Sequence, residues 1–119
     1  MNLNNRVQLI GIIVNEPVIK TFGAGSKVAR FTVETTDVYK QGEKLVKETL
    51  RHNVVAWGSL AEMVSNSLSK SSEIALEGKL MRRSYTDHRG DTQYITEVVL
   101  TTIVQSSFMK DLSIKTKIA

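Results

Sequence analysis

The stretch Arg51-His52-Asn53-Val54-Val55-Ala56-Trp57-Gly58 decides how the rest of the chain is read. It alternates. Arg51, Asn53, Val55 and Trp57 fall on one side, and His52, Val54 and Ala56 on the other. A period of two with β-branched residues at its centre predicts a strand. The strand sets the only tryptophan of the chain on the same side as an arginine. Such a side is either the rim of a core or a platform for something flat and negatively charged.

Downstream, Gly58 breaks the strand and Ser59 opens a helix. Ser59 with Glu62 three residues on reads as a capping box, each side chain reaching the backbone amide of the other. Leu60, Ala61, Val64 and Leu68 share one helical face, Met63 widens it, and Lys70-Ser71-Ser72 ends it. Glu73–Tyr85 reads as the next strand, with Ile74, Leu76 and Leu80 on one side and Glu77, Lys79, Arg83 and Tyr85 on the other. Asp87–Asp91 is a hairpin turn, and Gln93–Val104 the last strand.

Upstream, Arg6–Val14 is rich in β-branched residues and reads as the first strand, with Gly11 predicting a bulge or sharp bend. Asn15-Glu16-Pro17 ends it, Val18–Phe22 is a short extended piece, and Gly23–Ser26 a turn. Lys27–Thr36 is the second strand, with Ala29, Phe31 and Val33 inward and Arg30, Thr32 and Glu34 outward. Asp37–Lys47 is polar, carries Lys40, Lys44 and Lys47 around Tyr39, and reads as a protruding hairpin or loop. Three strands, one helix and two strands predict an all-β fold: a five-stranded OB-fold Greek-key barrel with one α-helix between strands 3 and 4. The apolar stripe of the helix would plug one end. The expected division is an OB domain over 1–105 and a short basic tail over 106–119.

At 119 residues the chain suits one domain. It has no cysteine, which removes disulfide and thiolate chemistry and fits a reducing compartment. No apolar run approaches spanning length, and MNLNNR is not a signal peptide, so no membrane is expected. The net charge of +4, with a pI near 9.5, is compatible with a polyanion partner and does not by itself require one.

Catalytic chemistry is hard to build from these residues. His52 sits in a strand and reads as a packing or interface residue, and His88 sits at a turn tip. Neither has a second ligand at metal-binding spacing, so no metal or cofactor is expected. Gly23-Ala24-Gly25 lacks a following phosphate loop and is a turn, and Asp87 and Asp91 bracket a hairpin, where acids commonly cap turns. No enzyme is expected.

The aromatic residues say more. Tyr39, Trp57 and Tyr85 lie on predicted outward faces or loops, and each has cations near it in sequence. Tyr39 has Lys40, Trp57 has Arg51 on its side, and Tyr85 follows Lys79, Arg82 and Arg83. The bland alternative is that the rings close the barrel rim and the cations only solubilise it. Three rings in separate segments, each with cations, favour an unpaired nucleic-acid strand. Its bases stack on rings for about 1–3 kcal/mol each, and its phosphates add a salt-dependent term.

The same residues resemble the bacterial single-stranded DNA-binding proteins, the OB-fold SSB family. The resemblance runs from about Asn5 to Val104. It rests on NRVQLIGIIVNEP, on HNVVAWGSLAE entering the helix, on IALEGKLMRRSYTD and on GDTQYITEVV. It implies a cytoplasmic, nucleoid-associated homo-oligomer, a tetramer favoured. Such a protein wraps single-stranded DNA without strong sequence preference and protects it in replication, repair or recombination. Tyr39, Trp57 and Tyr85 align with the stacking aromatics of the family, and His52 with a histidine near the subunit interface. Arg51 stands where many members have a further tryptophan; its guanidinium plane can stack on a base and also meet phosphate. Members usually end in a flexible linker and an acidic recruiting tip. Here the sequence ends in DLSIKTKIA, which is basic, and this weakens the expectation of tail-mediated recruitment of repair proteins. The expected single-stranded DNA site is therefore Tyr39, Trp57, Tyr85, Arg51, Lys40, Lys79, Arg82 and Arg83. The alternative is an OB-fold interaction module of primosomal type, binding a protein partner or RNA.

Overall fold

The computed structural model describes residues 4–105; the predicted basic tail lies outside the described residues. In chain order the elements are β1 (Val7–Ile13), β2 (Val18–Thr21), β3 (Lys27–Gln41), β4 (Lys44–Trp57), α1 (Ser59–Ser67), β5 (Glu73–Thr86) and β6 (Thr92–Gln105). The sheet runs β1-β5-β6-β4-β3-β2, and β1 also pairs with β3. Five strands therefore close into the expected barrel. The short extended piece, β2, is a sixth strand laid against β3 outside the ring.

Gly11 marks the closure. Up to Ile12, β1 pairs antiparallel with β5; at Ile12 and Ile13 it pairs with β3. Any Cβ at Gly11 would stand 2.2 Å from the Glu34 carbonyl oxygen, so only glycine lets the two backbones approach. Gly78 plays the same part in the β5–β6 ladder. The register slips between Glu77 and Gly78, and a Cβ there would lie 2.4 Å from the Val99 carbonyl oxygen. The slip leaves one extra residue on β6, which lets both Leu100 and Ile103 reach the core although they are three apart.

The alternation read from β3 and β4 holds inside the barrel. Ala29, Phe31, Val33, Val54 and Ala56 are buried together with Ile13, Ile74, Leu76 and Val98. Ala61, Val64 and Leu68 of the helical stripe join the same core, with Leu60 and Met63 partly buried at its margin. Val55 departs from its expected outward exposure: it is buried outside that cluster, between Arg30 on β3 and Val99 on β6.

Of its two expected forms, hairpin or loop, Asp37–Lys47 takes the hairpin. β3 and β4 pair without a break from Val28–Trp57 out to Gln41–Lys44, forming a long ribbon that turns at Gly42-Glu43. Both sides of its outer part meet solvent, so it has no apolar alternation to announce it. One local expectation is corrected: the capping box is absent. The cap is Gly58, at φ 61°, and no side chain caps the helix. Glu62 instead pairs with Lys27 at 2.7 Å, which holds its carboxyl below the usual range. The helix ends at Ser67, ahead of Lys70-Ser71-Ser72.

Candidate nucleic-acid interface

The site grows from the way two hairpins part. β4 and β6 pair in parallel only at Val54–Val98 and Val55–Val99. Around that contact the outward side forms one row across four strands, from Lys79 through Val99 and Val55 to Arg30. Beyond it the β3–β4 and β5–β6 hairpins diverge, and an open groove of about 290 Å³ lies between them. Arg30, Thr32, Asn53, Arg83, Ile95 and Glu97 are among its lining residues.

Pleating decides which candidates face this groove, because paired residues share a side and neighbours in a strand do not. Trp57 stands opposite Val28 at one end of the outward side and is 51% exposed. Arg51 lies six residues back on the same side of β4, about 20 Å along an extended strand and too far to share a base with Trp57. Its Nε donates to Glu34 Oε2 at 3.2 Å, an exposed pair worth at most about 1 kcal/mol and easily exchanged for phosphate. Lys79, Arg83 and Tyr85 take the outward side of β5. Tyr85 is half exposed, with the Arg83 guanidinium carbon 5.9 Å from its ring centre.

The remaining candidates are distributed otherwise than their sequence spacing suggests. Tyr39 and Lys40 are adjacent in an unbroken ladder, so they point to opposite sides of the ribbon. Lys40 shares the side of Arg51 and Trp57, and Tyr39 that of Phe31 and Val33. The expected Tyr39–Lys40 partnership is therefore not made. Arg82 likewise points away from Tyr85. It lies over the ring of Tyr94, 4.1 Å from its centre, on the opposite side of the β5–β6 hairpin. Tyr94 was missed because its cation comes from the facing strand rather than from its own neighbours.

Glu97 was also missed. It is the one buried charged residue among those described, and its carboxylate accepts from Arg30 on one hairpin and from Arg83 on the other. A lone acid between Thr96 and Val98 was the available signal. Asp87 and His88 sit in the distal turn as expected. Asp87 accepts from the backbone amides of Asp91 and Arg89, and the Asp91 hydrogen bond in particular lowers its pKa. His52 is half-buried with Nε2 3.0 Å from Thr35 Oγ1, a packed position rather than a reactive one. Among the described residues no cluster of His, Cys, Asp or Glu could hold a metal.

A family model for the single-strand binding protein family matches residues 4–106. The chain belongs to that family. Single-stranded DNA-binding protein 1 of Chlorobaculum tepidum is 38% identical over 99 residues, 82% of this chain and 61% of that one. The single-stranded DNA-binding protein of Bacteroides thetaiotaomicron is 41% identical over 97 residues, 79% of this chain and 60% of that one. The chain thus spans about three fifths of the length of these two relatives. A solved complex of Plasmodium falciparum SSB with ssDNA superposes with a TM-score of 0.79 at 25% identity, covering 89% of this chain and 99% of that one. The family's barrel is therefore present from β1 to β6, the span that carries the groove.

Proposed function

We propose that this chain binds single-stranded DNA without strong sequence preference and protects it during replication, repair or recombination. Bases stack on Trp57 and Tyr85, and phosphates meet Arg51, Lys79 and Arg83 along the outward side. Lys40 extends that track onto the ribbon, while Tyr39 on the ribbon's other side, and Arg82 with Tyr94 on the far side of their hairpin, offer further ring surfaces. The observation that carries this reading is the gathering of half-exposed rings and cations along one side of a closed barrel, around an open groove. Rings supply sequence-tolerant stacking, and no duplex groove reader such as an exposed recognition helix is needed. The relatives' names and the ssDNA complex support the same reading.

We further propose a homo-oligomer, a tetramer favoured. Ile10 and Ile12 stand exposed on the same side of β1, with Ala75 opposite Ile10 across the ladder, an apolar patch on a barrel wall that a second copy would cover.

Trp57 is the only tryptophan, so its emission reports the site directly. Titrating oligo-dT at low salt is expected to quench it to saturation, with duplex DNA binding much more weakly. Unchanged emission at saturating oligo-dT would remove Trp57 from the site and favour an interaction module for protein or RNA.

A further inference from the structure

Glu97 is out of place in a surface that takes a polyanion. Burying a carboxylate costs several kcal/mol unless cations and hydrogen bonds compensate it. Here compensation is complete: Oε1 accepts from Arg83 Nε at 2.6 Å, and Oε2 accepts from Arg30 Nη1. The exposures divide sharply. The carboxylate side chain is 7% exposed, whereas Arg30 and Arg83 are 41% and 43% exposed. The negative charge is thus hidden beneath the two guanidiniums that it holds.

Each arginine commits one N–H to Glu97. A guanidinium has five, in a fixed fork, so both retain donors for an incoming anion. The two arginines come from β3 and β5, on hairpins that diverge from one another, and Glu97 on β6 ties them together at the groove. Thr32 and Asn53 line the same groove with further polar groups, and the Tyr85 ring stands beside Arg83. A groove of about 290 Å³ that opens to solvent suits a backbone phosphate of a passing strand better than an enclosed ligand.

We propose that Glu97 is a positioning residue that fixes Arg30 and Arg83 as a two-armed phosphate clamp, with Tyr85 set to stack the adjoining base. The inference rests on the single-stranded DNA reading above and adds Arg30 and Glu97 to it. Its logic is preorganisation. Two long side chains that would otherwise lose rotamer freedom on meeting a phosphate are already ordered by the carboxylate.

The test exploits a difference of sign. Glu97→Gln removes a negative charge from a polyanion site, so simple electrostatics requires tighter binding. The clamp requires weaker binding, on the order of tenfold for the loss of one charge-assisted contact. It also requires a log–log salt slope shallower by about 0.7, one phosphate on a single strand. Oligo-dT affinity is read by Trp57 quenching, with circular dichroism and melting confirming the fold of the variant. Wild-type quenching together with equal or tighter binding by Glu97→Gln overturns the clamp and leaves the DNA reading standing. Loss of wild-type quenching removes both. If Glu97→Gln does not fold, Arg30→Gln, Arg83→Gln and their double variant serve instead. The clamp requires the double to lose less than the product of the single losses, and strictly multiplicative losses overturn it.

Discussion

Trp57 pairs across the ladder with Val28 but buries only half of itself, so its ring is exposed at the barrel surface without being integral to the core. A residue placed this way separates binding from stability. Trp57→Ala is expected to weaken oligo-dT binding by about 1–3 kcal/mol, one stacked base, across oligonucleotide sequences. The affinity is measured by competition against a labelled oligonucleotide, since the variant lacks its own probe. A melting temperature close to wild type accompanies that loss. A large drop in melting with unchanged affinity would return Trp57 to the core. Trp57 was legible because its strand alternates strictly and its side carries an arginine. Tyr94 and Glu97 were not, because their partners, Arg82 for one and Arg30 with Arg83 for the other, lie on different strands. Cross-strand chemistry depends on register, and register is a property of pairs of segments rather than of either one.

At the scale of elements, the helix and the barrel strands could be read from period alone, since each has one side in the core. The outer ribbon could not, because its two sides meet the same solvent and select no period. The same reasoning explains the misplaced partners of Tyr39 and Tyr85. Nearness in sequence suggests contact, whereas an unbroken ladder turns neighbours to opposite sides. Gly11 was legible only as an irregularity and Gly78 not at all, and the structure supplies the reason for both. Gly78→Ala is expected to destabilise the barrel by about 1–3 kcal/mol, because the added methyl meets the Val99 carbonyl at 2.4 Å and Val98 Cγ1 at 2.7 Å. Both neighbours belong to the β6 backbone or the core, so neither yields easily. Chemical denaturation checks this. A midpoint equal to wild type would mean that the ladder relaxes around the bulge.

For the molecule as a whole, the modest charge of +4 matters less than its placement, with cations spread along the outward side of two hairpins. If about four phosphates are neutralised per site, log affinity for oligo-dT should fall with log salt at a slope near −3. A flat response would argue for a protein partner instead. Light scattering is expected to give a mass near four times the 13.3 kDa of one chain. A monomeric mass would remove the oligomer proposal while leaving the single-chain groove unaffected.

The fork of β1 at Gly11 has a consequence for how the protein is made. Val7 finds its partner in Gly78 and Ile12 finds Glu73, so β1 leaves the ribosome about 60–70 residues ahead of the strand it pairs with. At typical synthesis rates that interval is roughly 3–12 s, far longer than a hairpin needs to form. The β3–β4 ribbon, whose pairing is local, is complete well before. Until β5 emerges, Leu9, Ile10, Ile12 and Ile13 form an apolar strand with one ladder missing, the kind of edge that seeks another chain. Pairing of β1 with β5 thus waits on synthesis, and β1 is where a chaperone or a neighbouring nascent copy would find the barrel still open.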